Sequence, residues 1–460
     1  MTYFFETYGC QMNIAESAAV EQLLISRGWT KADDVQICDL VVINTCSVRK
    51  TAENRIFGRL GWVSGLKAVR ECKPHTKAKT LEVAADYVKD GAKPITVVVM
   101  GCMAERLLSS LKKDYPVIDY VVGTYAKKQF GDIISAIENN VSPDKIKLVN
   151  NPEQFEFSPV SLEPGSFSAY VPIMHGCNNF CSYCIVPYVR GREVSRSIED
   201  IFKEIDILSK YGVREITLLG QNVNSYSCNG TDFPALLEKI CDHIEETKSC
   251  IGWIRFMSSH PKDLSDRLID VISKRRQICH HIHLPVQHGS TKVLKEMNRR
   301  YTREHYIDLV QKIRNKIPDV SLTTDIMVGF PGETEEDFNE VLSLMNSILY
   351  ENAFMYYYNL RDGTPAAKRK DQIDLNVKKE RLQKVIDLQL EITRREMEKR
   401  IGKTAAVLAE SVSKDNKSEL LGKTEQDERV AFAAPENLIG QFVQVKLEGL
   451  SGNTFRGSLI

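Results

Sequence analysis

The chain has 460 residues, 43% of them hydrophobic, and its 61 basic side chains are balanced by 61 acidic ones. At ~150 residues per domain this length predicts about three domains, and zero net charge excludes a global attraction to nucleic acid, leaving only local basic faces. No apolar run approaches the ~18 residues of a membrane span, and the opening MTYFFETYGC lacks the basic and apolar regions of a secretory signal, so a cytoplasmic protein with no membrane partner is expected.

Residues 1–145 alternate strand-like and helix-like stretches. TYFFETY (2–8) reads as a strand, residues 14–27 as a helix ending near Gly28, and DLVVIN (39–44) as a second strand with a helix after Ser47. PITVVVM (94–100) is a third strand, followed by a helix from Ala104 and the short strand VIDYVV. Apolar strands separated by helices predict a mostly parallel α/β sheet covered on both faces. Residues 64–93 are polar, lysine-rich and weakly periodic, the pattern of an elaborated helix and loop. Residues 141–165, with several prolines and little periodicity, read as a linker.

A second alternating series occupies residues 163–375. AYVPIM, EITLLG, WIRFM, HIHLPV, LTTDIMVGF and AFMYYYN are six strand candidates, most of them separated by helical segments, as in a complete or partial β/α barrel. A long amphipathic helix is expected at 376–400. Residues 401–460 hold the short strands KTAAVLAES, RVAFAA, GQFVQVKLEG and NTFRGSLI between Gly and Asn, the pattern of a small antiparallel barrel. Residues 368–403 carry 12 basic and 7 acidic side chains, either a local basic face or a solvated helix rich in both charges.

Twelve cysteines in so long a chain do not describe a small secreted disulfide scaffold; in a reducing compartment, clustered cysteines point to metal or chemistry. Cys177, Cys181 and Cys184 stand together in HGCNNFCSYCIVP, in the loop after the first strand of the second series. A structural zinc site wants four protein ligands, so this trio leaves one coordination position open, as zinc or as an iron–sulfur cluster held by thiolates at short spacing. Cys10, Cys46 and Cys102 each fall just beyond a predicted strand. The carboxyl ends of parallel strands point the same way, so these thiols can converge on one metal, with Gly9 and Gly101 allowing tight turns beside it. The alternative is three buried cysteines acting as small hydrophobes. Cys38, Cys72, Cys228, Cys241, Cys250 and Cys279 lack such placement and read as packing residues.

C-x-x-x-C-x-x-C after a barrel strand resembles the signature of the radical S-adenosylmethionine superfamily. YGCQMN, NTCSVR, GCMAE, VPYVRGREVSR, GQNVNSY, HLPVQHGS, MNRRYT and TTDIMVGFPGETEEDF, in that order, extend the resemblance over nearly the whole chain to the methylthiotransferases, in particular their tRNA-modifying branch. The resemblance implies that Cys177, Cys181 and Cys184 hold a 4Fe–4S cluster that binds and cleaves S-adenosylmethionine, and that Cys10, Cys46 and Cys102 hold an auxiliary 4Fe–4S cluster through which sulfur is delivered. Gly220, Gln221, Asn222, Ser258, Asp325 and Gly329 are expected to line the cofactor pocket, and the C-terminal barrel resembles the family's RNA-binding TRAM domain. The implied reaction is methylthiolation of C2 of N6-isopentenyladenosine at position 37 in a single-stranded tRNA anticodon loop, with S-adenosylmethionine both radical source and methyl donor. A reducing electron donor and a sulfur source are the further partners. Lys378, Lys379 and Arg381 are candidate contacts to RNA phosphates.

Two features depart from the family pattern: His288 stands where serine is usual, and the Cys46–Cys102 interval looks lengthened around 64–93. Of the sister activities, that on an aspartate of a ribosomal protein is set against SVR and GQNVN segments that resemble the tRNA branch, while that on threonylcarbamoyl-adenosine shares this architecture and targets a different modified base. A structural zinc- or cluster-stabilised RNA-binding protein would give no reason for two separate three-thiol sets.

Overall fold

Runs of β-branched residues build the first sheet. The computed structural model describes residues 1–47, 50–71, 94–152, 155–158, 160–163, 165–414 and 416–460. Strands Thr2–Thr7 (β1), Thr30–Lys31 (β2), Leu40–Thr45 (β3), Thr96–Gly101 (β4) and Tyr120–Val122 (β5) pair in the order β2-β1-β3-β4-β5, every ladder parallel. Alternate residues serve opposite faces. Val41, Ile43, Val97 and Val99 pack with Ile56, Leu60 and Val63 of the helix Lys50–Arg70. Leu40, Val42, Val98 and Met100 pack with Val20 and Leu24 of the helix Gln11–Ser26 and with Phe130, Ile133 and Ile134 of the helix Phe130–Glu138. The expected sheet with two covered faces is therefore present. Its strand order reverses between β1 and β3, which makes their carboxyl ends a topological switch point, the place where such sheets bind ligands.

Element ends differ from the periodicity where the cysteines lie. The first helix starts at Gln11, with Cys10 as its N-cap, and the helix after β4 spans only Cys102–Arg106. Of the expected elaboration, 64–70 belong to the helix Lys50–Arg70, and 72–93 lie outside the described residues. These elements lie in one compact unit, Met1–Pro164 with Ile185–Arg192; the other unit is Gly165–Cys184 with Glu193–Ile460.

In the second unit the strands are Ser168–Pro172 (β6), Met174–His175 (β7), Val194–Ser195 (β8), Glu215–Leu219 (β9), Ser227–Cys228 (β10), Thr231–Asp232 (β11), Trp253–Phe256 (β12), His281–His283 (β13), Ser321–Val328 (β14) and Asn352–Tyr357 (β15). β6-β9-β12 and β13-β14-β15 form two all-parallel triplets. Backbone bonds between Ile254 and both Gln277 and Cys279, of 2.7 and 3.0 Å, link β12 to the segment entering β13. The six predicted strands thus follow one another in space in chain order, as a partial β/α barrel. The helices between them start where the sequence puts capping side chains: Ser197, Asp232, Ser265, Thr302, and Thr334 with Asp337 as a capping box.

The last sixty residues form a closed barrel of Thr404–Val412 (β16), Glu419–Thr424 (β17), Arg429–Ala433 (β18), Phe442–Ser451 (β19) and Thr454–Leu459 (β20). Four ladders are antiparallel as expected, and the fifth, β18 with β20, is parallel. β17 (ELLGKT) is absent from the sequence reading because Glu, Gly and Lys are poor strand formers. Gly422 is needed there: a Cβ would lie 2.3 Å from the Leu408 carbonyl oxygen. Arg255 of β12 ties this barrel to the partial barrel, donating to the carbonyls of Glu425 (2.6 Å) and Thr424 (2.8 Å) and to Glu215 (2.8 Å). Among the described residues, no helix is long and apolar enough to cross a membrane.

Candidate active site

Cys10, Cys46 and Cys102 stand at the carboxyl ends of β1, β3 and β4, around the switch point of the first sheet. Glycine is required at both turns. Gly9 has φ +146°, and a Cβ on it would lie 2.9 Å from the Cys46 Cβ; Gly101 has φ +96°, and its Cβ would lie 2.4 Å from Asn44 Oδ1. A buried amide pair locks the loops together: Asn13 Nδ2 donates to Asn44 Oδ1 (2.8 Å) and to the Thr45 carbonyl (3.0 Å), and Asn44 Nδ2 donates to the Asn13 carbonyl (2.9 Å). Burial pushes the Cys102 thiol up to about 12, against the pull of Arg190, with Glu16, Cys10 and Cys46 adding to the rise. The Cys10 and Cys46 thiols are thus near enough to act on Cys102 electrostatically.

The other trio belongs to the second unit. Gly176, at φ +80°, leads out of β7 into Cys177, and its N–H donates to Gln221 Oε1 at 2.6 Å. Asn298 Nδ2 holds the carbonyls of Asn179 (3.1 Å) and Phe180 (3.0 Å), and Phe180 takes a left-handed φ of +49°. The Ser182 hydroxyl donates to the Glu296 carbonyl (2.8 Å), and the Cys184 N–H closes a tight turn on the Cys181 carbonyl (2.9 Å). Cys177 and Cys181 are buried and Cys184 is partly exposed. Burial raises the Cys177 thiol to about 11, opposed by the Asn179 N–H and reinforced by Cys181. Buried Arg299 donates to Cys181 Sγ at 3.6 Å, to the Pro285 carbonyl at 2.7 Å and to the Tyr301 hydroxyl at 3.0 Å. Each trio therefore has one buried arginine on one of its sulfurs, the other being Arg190 on Cys102 at 3.1 Å.

Among the described residues, no group of three or more Cys, His, Asp or Glu is arranged to hold a single metal ion. A four-iron cluster is a larger body than one ion, and the donor chemistry suits it: three thiols and one open position per set. The strand ends also suit a polar cofactor. Asn222 after β9, and Ser259 and His260 after β12, are buried, and Asn222 Oδ1, Ser259 Oγ and His260 Nε2 lack hydrogen-bond partners among the described residues. Such atoms are stabilised by a polar ligand or water. The Lys262 N–H donates to His260 Nδ1 (3.3 Å), so Nε2 carries the proton; burial and Arg299 push this imidazole down to about 2 and keep it neutral.

The softer site residues separate into two groups. Asn222, whose amide donates to Asp263 Oδ2 at 2.8 Å, and Ser258, at a left-handed φ of +67°, occupy strand ends as expected. Gly220 makes room for Met174, since a Cβ would lie 2.3 Å from its Cγ, and Gln221 braces the cysteine loop as described. Asp325 lies inside β14 rather than at its end, 3.6 Å from His283 Nε2. Gly329, at φ +69°, makes room for the long helix Leu375–Glu398, since a Cβ on it would meet Lys378 Cγ at 2.4 Å. Ser259, His260, Arg299, Asn13, Asn44 and Arg190 were missed by the sequence reading, although all but Ser259 and His260 lie in the motifs quoted there.

The RNA-contact candidates differ in exposure. Lys378 is buried, with its ammonium 5.1 Å from the Tyr358 ring centre, and Arg381 is buried against Glu333 (2.8 Å) and Glu335 (3.0 Å). Both charges are engaged within the protein, whereas Lys379 is exposed. Much of the remaining charge on the helix is spent in pairs along it, Lys384 with Glu380 and Arg394 with Glu398. His288 is fully buried, accepting the Ser290 N–H at Nδ1 (3.0 Å) and donating from Nε2 to Glu333 (3.2 Å), so it belongs to the same polar hub as Arg381.

The family model of the radical SAM superfamily matches residues 171–345, and that of uncharacterized protein family UPF0004 matches residues 2–123. Proteins of Treponema denticola and Treponema pallidum, each named tRNA-2-methylthio-N(6)-dimethylallyladenosine synthase, are 49% identical over 100% of this chain and 100% and 99% of their own. One from Carboxydothermus hydrogenoformans with the same name is 42% identical over 97% of this chain and 96% of its own. Among solved structures, the radical S-adenosylmethionine methyltransferase TsrM of Kitasatospora setae covers 80% of this chain and 77% of its own at a TM-score of 0.56 and 14% identity, a likeness of fold alone. With relatives 49% identical over its whole length, the chain belongs to the radical S-adenosylmethionine methylthiotransferase family, that of the tRNA-2-methylthio-N(6)-dimethylallyladenosine synthases.

Proposed function

We infer that this protein methylthiolates C2 of N6-isopentenyladenosine at position 37 of tRNA, a base in the single-stranded anticodon loop, using S-adenosylmethionine as radical source and as methyl donor. The observation that carries this reading is the 49% identity, over 100% of this chain and of its relative, to an enzyme named for that product. We assign Cys177, Cys181 and Cys184 as ligands of one 4Fe–4S cluster, and Cys10, Cys46 and Cys102 as ligands of the auxiliary one. When bound, the two clusters and S-adenosylmethionine supply the radical chemistry, the sulfur and the methyl group that no side chain here provides. The chain's own residues place the ligands. Asn298 and Ser182 hold the 177 loop in one shape, and Asn13 and Asn44 do the same for the loops of Cys10 and Cys46. Asn222, Ser258, Ser259 and His260 offer polar atoms to the cofactor. An external electron donor, a sulfur source and the tRNA anticodon loop complete the partners, and the C-terminal barrel is assigned to the RNA.

The test is anaerobic reconstitution of the full chain, expected to take up about eight irons in two four-iron centres, followed by incubation with isopentenylated tRNA and mass spectrometry of its nucleosides. Appearance of the methylthio nucleoside supports the reading. Modification of threonylcarbamoyl-adenosine or of a ribosomal-protein aspartate, with the isopentenylated tRNA untouched, overturns it.

A further inference from the structure

Six residues past Cys184 the chain places Arg190 within the first unit, in the segment Ile185–Arg192. Its side chain is buried: Nε donates to Cys102 Sγ at 3.1 Å, and Nη1 and Nη2 donate to Glu16 Oε1 and Oε2 at 2.8 and 3.4 Å. Glu16, on the helix that Cys10 caps, also pairs with Lys127. Two cations and one anion leave a net positive charge, largely out of water, against one sulfur of the trio. The cysteines do not need an arginine to be placed, because Gly9, Gly101, Asn13 and Asn44 already hold their loops. Nor does Glu16 need a second cation for neutrality, since Lys127 supplies one. The arginine directed at sulfur therefore calls for a reason of its own.

Hydrogen bonds to cluster sulfurs and nearby charge set the potential of an iron–sulfur centre. Reduction adds one electron to the cluster, and a guanidinium donating to its cysteinyl sulfur stabilises that added negative charge. We propose that Arg190 is a positioning residue for the auxiliary cluster, its charge held on Cys102 by Glu16 and supplemented by Lys127, and that this triad raises the cluster's reduction potential. The proposal rests on the assignment of Cys10, Cys46 and Cys102 as cluster ligands.

The parent for the test is the full chain with Cys177, Cys181 and Cys184 all changed to Ala, loaded anaerobically with iron and sulfide and titrated against potential by electron paramagnetic resonance. Arg190→Gln should shift the potential negative, Lys127→Met negative by less, and Glu16→Gln positive. A purely structural triad would not sort its variants by the sign of the charge removed. Where Arg190→Gln loses its iron, Lys127→Met and Glu16→Gln, which alter no contact atom of Cys102, decide the question. Unchanged potentials in the iron-retaining variants, or shifts of one sign in all of them, overturn the proposal. A parent that binds no iron fails earlier and overturns the ligand assignment with it, so the two failures are distinguishable.

Discussion

Gly101 shows how much of the geometry around Cys102, here assigned to the auxiliary cluster, depends on a single missing Cβ. At φ +96° with the Asn44 amide oxygen 2.4 Å from the Cβ position and the Thr45 carbonyl at 2.5 Å, Gly101→Ala combines backbone strain of about 1–3 kcal/mol with overpacking of similar size. The expected outcome is loss of about half the iron of a protein holding two four-iron clusters, with S-adenosylmethionine cleavage retained; iron and sulfide analysis beside a 5′-deoxyadenosine assay checks both. The cysteines themselves divide the same way. Cys181→Ala should abolish 5′-deoxyadenosine formation, whereas Cys46→Ala should leave it and abolish methylthio transfer. Equal loss of cleavage in both variants would refute the division of labour. The strand-end placement of Cys10, Cys46 and Cys102 was legible in the sequence because each follows a short apolar run that reads as a strand. Arg190, Arg299 and the asparagine pair were not, because a motif shows that residues occur together without showing which atoms touch.

The long helix Leu375–Glu398 illustrates what element-level patterns miss. Its charge excess suggested an RNA-facing surface, yet it packs on β15 and turns Lys378 and Arg381 inward toward the GFPGE turn. Charge count gives composition; the face that packs decides which charges are free. Arg381→Glu would bury an anion beside Glu333, so it should lower the melting temperature markedly and change RNA affinity only through unfolding, while Lys379→Glu leaves the melting temperature unchanged. The seam under this helix also carries a pH dependence. Thr393 Oγ1 donates to the Glu351 carbonyl at 2.9 Å, and the Glu351 carboxyl, pushed up to about 7 by burial against the opposing pull of the Leu322 N–H, lies beside it. A carboxyl raised in the folded state binds its proton more tightly than in the unfolded chain. Its stabilising contribution is therefore full below the ordinary carboxylate range and is lost as pH rises through about 7. Glu351→Gln, which keeps the acceptor for Leu322, should make the melting temperature fall less between acidic and mildly alkaline pH; an unchanged pH profile would remove Glu351 as the cause.

At the scale of the whole molecule, each cysteine trio has its own compact unit, and the chain leaves the second unit immediately after Cys184 to contribute Ile185–Arg192 to the first. Within the second unit, the C-terminal barrel is held by more than its linker. Arg255 satisfies two of its carbonyls and Glu215, Lys423 reaches Glu215 at 2.6 Å, and Trp253 and Cys279 pack with Leu408. Removing one partner of a buried ion pair costs about 3–5 kcal/mol because the other charge is left uncompensated. Arg255→Met should destabilise the protein by about that amount and make the C-terminal barrel more susceptible to proteolysis, with iron content unchanged; denaturant unfolding and limited digestion measure it.

The sequence by itself determined the alternation of strands and helices, the partial barrel, most of the C-terminal strands and the six thiols, because periodicity, capping residues and cysteine spacing are local properties written in consecutive residues. Tertiary structure alone decided the strand order that makes β1 and β3 a switch point, the fifth barrel strand around Gly422, the inward turn of Lys378 and Arg381, and the buried arginine on one sulfur of each trio. These depend on contacts between residues on different elements, where the packing of neighbours outweighs the preference of any single segment.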